Sequence, residues 1–158
     1  HYQVKIAEIP MADGLVLGAD YLEIGGQDSG TTLDQKAESG SYYATYAIGP
    51  ATIGYSKSFL ATKMTEATTN FLESLEATKM SIAFNVNDNL SISYEQEESA
   101  PTLKTSSTAV FDIESTGIQA AYTMGGMTLA IAMNDHENAR YTENQDVKDT
   151  TFSVAMAF

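Results

Sequence analysis

Residues 116–134 read Thr-Gly-Ile-Gln-Ala-Ala-Tyr-Thr-Met-Gly-Gly-Met-Thr-Leu-Ala-Ile-Ala-Met-Asn. In the second half, Met127, Leu129, Ile131 and Met133 alternate with Thr128, Ala130, Ala132 and Asn134. A period of two belongs to a strand, not to a helix. The Gly125-Gly126 pair marks a tight hairpin, because glycine reaches the positive φ angles that such turns require. The stretch is therefore two strands back to back, each with one apolar face and one face of small or polar residues.

The same pattern recurs in both directions. Phe152, Val154, Met156 and Phe158 alternate with Ser153, Ala155 and Ala157. Met80, Ile82, Phe84 and Val86 alternate with Ser81, Ala83, Asn85 and Asn87; Leu90, Ile92 and Tyr94 alternate with Ser91, Ser93 and Glu95. Tyr42, Ala44, Tyr46 and Ile48 do so with Tyr43, Thr45 and Ala47. The chain then holds nine strands, about 2–8, 15–24, 41–48, 52–60, 78–87, 90–97, 116–124, 127–134 and 150–158. Four connections are short: Pro10–Gly14, Gly49–Ala51, Asn87–Asn89 and Gly125–Gly126. In the third of these, Asn-Asp-Asn is expected to take positive φ as the glycines do. Four connections are long and polar: 25–40, 61–77, 98–115 and 135–149. Short and long alternate along the whole chain. Within 61–77, Phe71, Leu72 and Leu75 after Asn70 have the spacing and cap of a short loop helix. Val110, Phe111 and Ile113 either extend the next strand or pack within the loop.

The two faces decide what surrounds them. In a soluble sandwich the apolar face is a core and the other face carries Lys and Glu. Here the second face is mostly Ser, Thr, Ala, Asn and Gly, and charge is pushed into the loops. That suits a water-filled interior with lipid against the apolar face. Backbone groups in hydrocarbon must all be paired, so strands cross a bilayer only in a closed ring. Such a ring carries turns on one rim and loops on the other. The expected fold class is thus all-β, an antiparallel transmembrane β-barrel, with residues 1–158 as a single barrel segment. Tyr21, Tyr42, Tyr46, Tyr55, Tyr94 and Tyr122 fall on the apolar parity, where a ring can lie in lipid with its hydroxyl wet. Lys57 falls there too. A lysine at the midplane costs about 2–4 kcal/mol, so it must snorkel, meet a neighbouring subunit or mark a bulge.

Composition agrees. The 158 residues contain no cysteine, which excludes a disulfide scaffold and a thiolate metal site. Eight basic residues against 21 acidic ones give a net charge of −13, so nucleic acid is not an expected partner. No apolar run is long enough for a membrane helix. The mean hydropathy of −0.17 is no obstacle, because a barrel strand alternates lipid-facing and lumen-facing residues. The chain does not begin with Met and is read as processed or as a fragment.

Phe152, Val154, Met156 and the final Phe158 resemble the C-terminal signal of outer-membrane proteins, read by the barrel-assembly machinery through strand addition. Ala121–Leu129, and Ser41-Tyr42-Tyr43-Ala44-Thr45-Tyr46 with Ile53-Gly54-Tyr55, are similar to hairpins of outer-membrane porins of the alphaproteobacterial type. The resemblance implies a general-diffusion porin in the bacterial outer membrane, a homotrimer without cofactor, passing small hydrophilic solutes and ions passively. The last strand follows a long loop and so runs towards the periplasm. Counting back, an odd number of strands implies missing N-terminal strands. Nine would form the C-terminal half of a barrel of roughly sixteen. The family's constriction loop would then lie in the other half.

The expected pore-lining set is Gln3, Lys5, Asp20, Tyr43, Thr45, Ser56, Ser81, Asn85, Ser93, Glu95, Gln119 and Thr128. Lys5 and Asp20 can set a transverse field, and acidic loops raise cation concentration at the mouth. The two histidines, His1 and His136, are far apart, and no HExxH or phosphate loop is present, so no enzyme is expected. Asp135, Glu137, Glu143, Asp146 and Asp149 have oxygen ligands for a divalent cation, but a solvated acidic loop is the preferred reading and no metal site is expected. Two alternatives remain at this point. If residues 1–24 form one strand, the chain is a complete eight-stranded barrel with a filled interior, an anchor or adhesion protein. The other is a soluble β-sandwich binding module.

Overall fold

A computed structural model of the chain describes residues 1–6, 12–24, 33–65, 71–104 and 109–156. The elements are β1 (Tyr2–Ile6), β2 (Leu15–Ile24), β3 (Leu33–Gln35), β4 (Ala37–Ile48), β5 (Ala51–Ala61), β6 (Met64–Thr65), β7 (Phe71–Asn85), β8 (Leu90–Lys104), β9 (Ile113–Met124), β10 (Met127–Glu137) and β11 (Val147–Met156). Nine of them form one antiparallel sheet in the order β1-β2-β4-β5-β7-β8-β9-β10-β11, each paired to its neighbours in sequence. β3 and β6 make a two-stranded patch at the loop end. The only helical feature among the described residues is a single 3-10 turn, Ala139–Tyr141.

All nine expected strands are present, and most are longer than expected at the loop end. The loop helix is not there: Phe71–Asn85 is continuous strand. Asn70 lies outside the described residues. Leu75 pairs with Leu60 on one side and Pro101 on the other, and cross-strand partners on two sides outweigh a local helical spacing. β8 runs on to Lys104, and β10 and β11 take residues from both ends of the 135–149 connection. Ile113 begins β9, while Val110 and Phe111 precede it without regular structure. Residues 1–24 form two paired strands, Gln3 opposite Asp20 and Lys5 opposite Gly18, so the condition for an eight-stranded reading is not met.

The turns divide by mechanism. Gly14, Gly49 and Gly125 have φ of +83°, +56° and +60°. The Asn87–Asn89 turn does not use positive φ. There the Asn87 Oδ1 accepts from the backbone N–H of Asn89 (2.9 Å) and Leu90 (3.0 Å), so a side chain takes the place of a backbone carbonyl.

Register sorts every strand residue onto one of two faces, because partners across an antiparallel pair share a face and neighbours along a strand do not. The row Leu15·Tyr46·Ile53·Ile82·Tyr94·Ile118·Met133·Thr150 crosses eight strands on the apolar face. Leu15 sits at the turn end of its strand. In the same row Tyr46 is two residues from its turn, Tyr94 four and Met133 six. The turns thus step by about two residues per hairpin, all in one direction. With a rise of ~3.3 Å and a strand spacing of ~4.8 Å, this is a tilt of roughly 30–35°.

Among the described residues, no second layer packs on the apolar face. Ala61, 9% exposed, is the one buried hydrophobic residue among those described, whereas Phe152 is 75% exposed and Ile82 48%. A sandwich needs a second sheet over the apolar face. The only other sheet among the described residues is the two-stranded β3–β6 patch.

Candidate functional site

The face opposite the apolar one carries the candidate site. All twelve residues of the expected lining set share it. Gln3 pairs with Asp20, Tyr43 with Gly18 and Ser56, and Thr45 with Gly54. Ser81 pairs with Gly54 and Glu95, Ser93 with Gln119, and Asn85 with Ser91. Thr128 pairs with Thr123. A Cβ at Gly18 would lie 2.2 Å from the Tyr43 ring, which lies across the glycine, so any larger residue there must displace that ring. Tyr43 therefore lies along the sheet instead of standing off it.

Charge on this face is concentrated where the sequence reading saw only Glu95. Lys79 Nζ lies 3.0 Å from Glu95 and 3.9 Å from Glu97. Two strands away, His136 Nδ1 is 2.8 Å from Ser115 Oγ and its Nε2 is 3.7 Å from Asp149. Asn134 donates to Asp149 at 3.0 Å. Lys79, Glu97, Ser115 and His136 form one register row. Glu95, Gly117, Asn134 and Asp149 form the next. Parity could have found Glu97, two residues from Glu95, and Lys79, two from Ser81. His136 and Asp149 were hidden because their segment reads as loop. Lys5 and Asp20 share the face on adjacent strands, but Asp20 accepts a hydrogen bond from Ser41 on the side away from Lys5.

The acidic segment 135–149 does not converge. Asp135 faces Lys148 on the apolar side, Asp149 lies on the polar side, and Asp146 accepts from the Asn138 N–H at 3.3 Å. No group of three or more His, Asp or Glu among the described residues is arranged to hold a metal.

The apolar face has a sharp margin. From the turns to about six residues along each strand it is Leu, Ile, Met, Phe, Val, Tyr, Ala and Thr. Glu23, Glu38, Glu76, Glu98, Glu114, Asp135 and Glu137 lie eight to ten residues from their turns, and Lys148 lies eight from Met156, the last described residue of β11. Lys57 and Gln96, at six, stand at that margin. Of the three alternatives for Lys57, the bulge is absent, since β5 keeps register with both neighbours. Its ammonium instead reaches Glu76 at 2.7 Å. The six tyrosines share the face but spread from two to six residues from the turns. Tyr21 and Tyr42 lie beside the charged margin, and the Tyr21 hydroxyl donates to Glu38 at 2.7 Å.

Glu76→Gln alone is expected to lower folded yield and the urea midpoint in detergent, because it strands the Lys57 ammonium at an apolar margin. Lys57→Met in the same chain should recover most of that loss. Strictly additive losses would show that the two do not act as a pair.

Beyond the margin the loops are tied together. Gln35 Nε2 donates to the carbonyls of Thr62 (2.8 Å) and Glu73 (2.9 Å). Lys36 reaches Glu23 at 2.9 Å, and that hydrogen bond and charge raise the Lys36 pKa above its ordinary value. Of the terminal set, Phe152, Val154 and Met156 share the apolar face of β11; Phe158 lies outside the described residues.

Fold and faces together define an all-β protein built on one staggered antiparallel meander, oily on one side and polar on the other. No protein-family model matches the chain, and a search of curated proteins finds no match.

Proposed function

We propose that the chain is part of a transmembrane β-barrel of the bacterial outer membrane, and that its polar face lines a water-filled pore through which small hydrophilic solutes and ions diffuse. One observation carries the reading: nine staggered strands expose an apolar band on one face and small polar residues on the other, with Ala61 the one buried hydrophobic residue among those described. After correction for tilt the band is about 16 Å tall up to the residues six from the turns and about 22 Å up to the first carboxylates at eight, near the ~25 Å of barrels that cross lipid. The ~35° tilt also lies in the range that ring closure needs. Because the nine strands alternate in direction, β1 and β11 run the same way. An all-antiparallel ring therefore needs further strands beside them, as a barrel of about sixteen would supply.

Catalysis plays no part in this reading; transport is passive. The resemblance of the hairpins to porins further suggests a homotrimer assembled by the barrel machinery. The polar face carries Asp20, Glu95, Glu97 and Asp149 against Lys5 and Lys79, so the pore should favour cations weakly. The full-length protein in planar bilayers is expected to give stepwise conductance and a reversal potential of cation sign in a salt gradient. Failure to conduct would refute the pore, and anion preference would refute the charge assignment.

A further inference from the structure

Between Glu137 and Val147 the chain takes an unusual path. Asn138, Arg140, Tyr141 and Asn144 hold φ of 53°, 60°, 58° and 57°, and none is glycine. For a residue as bulky as tyrosine this is an outlier that surrounding contacts must hold in place. Those contacts are present. The Phe111 N–H donates to the Tyr141 carbonyl at 3.3 Å, and Asn138 Nδ2 to the Asp112 carbonyl at 3.1 Å. Asn138 Oδ1 accepts from the Asn144 N–H at 3.1 Å, closing the loop on itself. The Tyr141 hydroxyl lies 3.1 Å from Ser99 Oγ.

The last contact fixes the direction of the loop. Ser99 belongs to β8 and, pairing with Ala77 and Ile113, to the polar face. It stands two residues loopward of Glu97. To reach it from the end of β10, the tyrosine must pass the first residues of β9 on the polar side. The loop therefore leans over the polar face and not over the apolar one. Arg140, the chain's only arginine, is exposed beside this anchor, and it forms no ion pair among the described residues.

We propose that residues 138–146 are a strap bent inward over the pore mouth, locked by the Tyr141–Ser99 hydroxyl pair, and that Arg140 is the charge that tempers cation entry there. The proposal rests on the pore reading above and adds a specificity-determining residue to it. Arg140 adds positive charge on the loop side of the carboxylates Glu95, Glu97 and Asp149, the first two of which Lys79 already reaches, so removing it shifts the charge balance at the mouth further towards cations.

The test uses the full-length protein in planar bilayers with a potassium chloride gradient. Arg140→Gln is expected to raise the cation-to-anion permeability ratio about twofold. Tyr141→Phe and Ser99→Ala should each increase unitary conductance and open-channel noise. In detergent, Tyr141→Phe should also speed hydrogen exchange at the Phe111 amide by about tenfold, a local opening that a side chain free of the loop would not cause. Channels of unchanged selectivity, conductance and noise, with Phe111 exchange unaltered, would overturn the strap while leaving the pore standing. No channels from the unaltered protein would overturn the pore itself.

Discussion

Lysine in place of Ile82 is expected to cost about 2–4 kcal/mol of folding free energy in lipid or detergent, whereas lysine in place of the adjacent Ala83 should cost less than about 1 kcal/mol. Ile82 sits between Ile53 and Tyr94, in the middle of the apolar band. Ala83 sits between Thr52 and Ser93 on the other face. Both are exposed in the isolated sheet, so in water the two substitutions would be nearly equivalent. Only a difference in what bathes the faces can separate them. The measurement is the urea midpoint of reversible unfolding in vesicles, with the slope checked for constancy. Equal shifts at the two positions would remove lipid from the apolar side.

The second large effect is expected at Gly14. Its φ of +83° already disfavours any side chain, and a Cβ there would stand 2.5 Å from the Ala47 carbonyl oxygen, which is backbone and cannot turn aside. The same neighbour donates its N–H to the Gly14 carbonyl at 3.0 Å, so the two segments cannot part without losing that bond. Strain of about 1–2 kcal/mol and overpacking of about 1–3 kcal/mol add, and Gly14→Ala should cost roughly 2–5 kcal/mol. Gly49→Ala is the control. Its φ is +56° with nothing within 4 Å of a Cβ, so only the strain remains, about 1–2 kcal/mol. If both variants unfold at the same urea concentration, the collision with Ala47 is not felt.

Much of this fold is legible as a period of two. Where Ile82, Phe84 and Ile92 alternate with small polar residues, strand, face and turn all follow from the sequence. Nearer the loops the alternation persists but loses contrast. Glu76 and Glu98 occupy apolar-parity positions beside Lys79, Glu95 and Glu97 on the other face, so both sides look polar and the strand reads as a loop. Phe71, Leu72 and Leu75 mislead differently: their spacing suits a helix, and only the partners Leu60 and Pro101, supplied from elsewhere in the chain, favour extension. The polar face is legible because its residues share parity, which register then preserves. The joining of His136 to Asp149 and of Tyr141 to Ser99 is not, since it depends on how far two strands run past their apparent ends. The Lys57–Glu76 pair likewise required the register of β5 against β7.

In the barrel proposed above, the uniform step of the turns would also fix how the bore scales. At a tilt near 35°, each strand adds about 6 Å of circumference, so one hairpin widens a closed ring by nearly 4 Å in diameter. Because every hairpin repeats the same offset, inserting or deleting one leaves the cross-strand neighbours of the rest unchanged. Gene duplication of a single hairpin could then retune the size limit for solutes in discrete increments, without redesigning the wall.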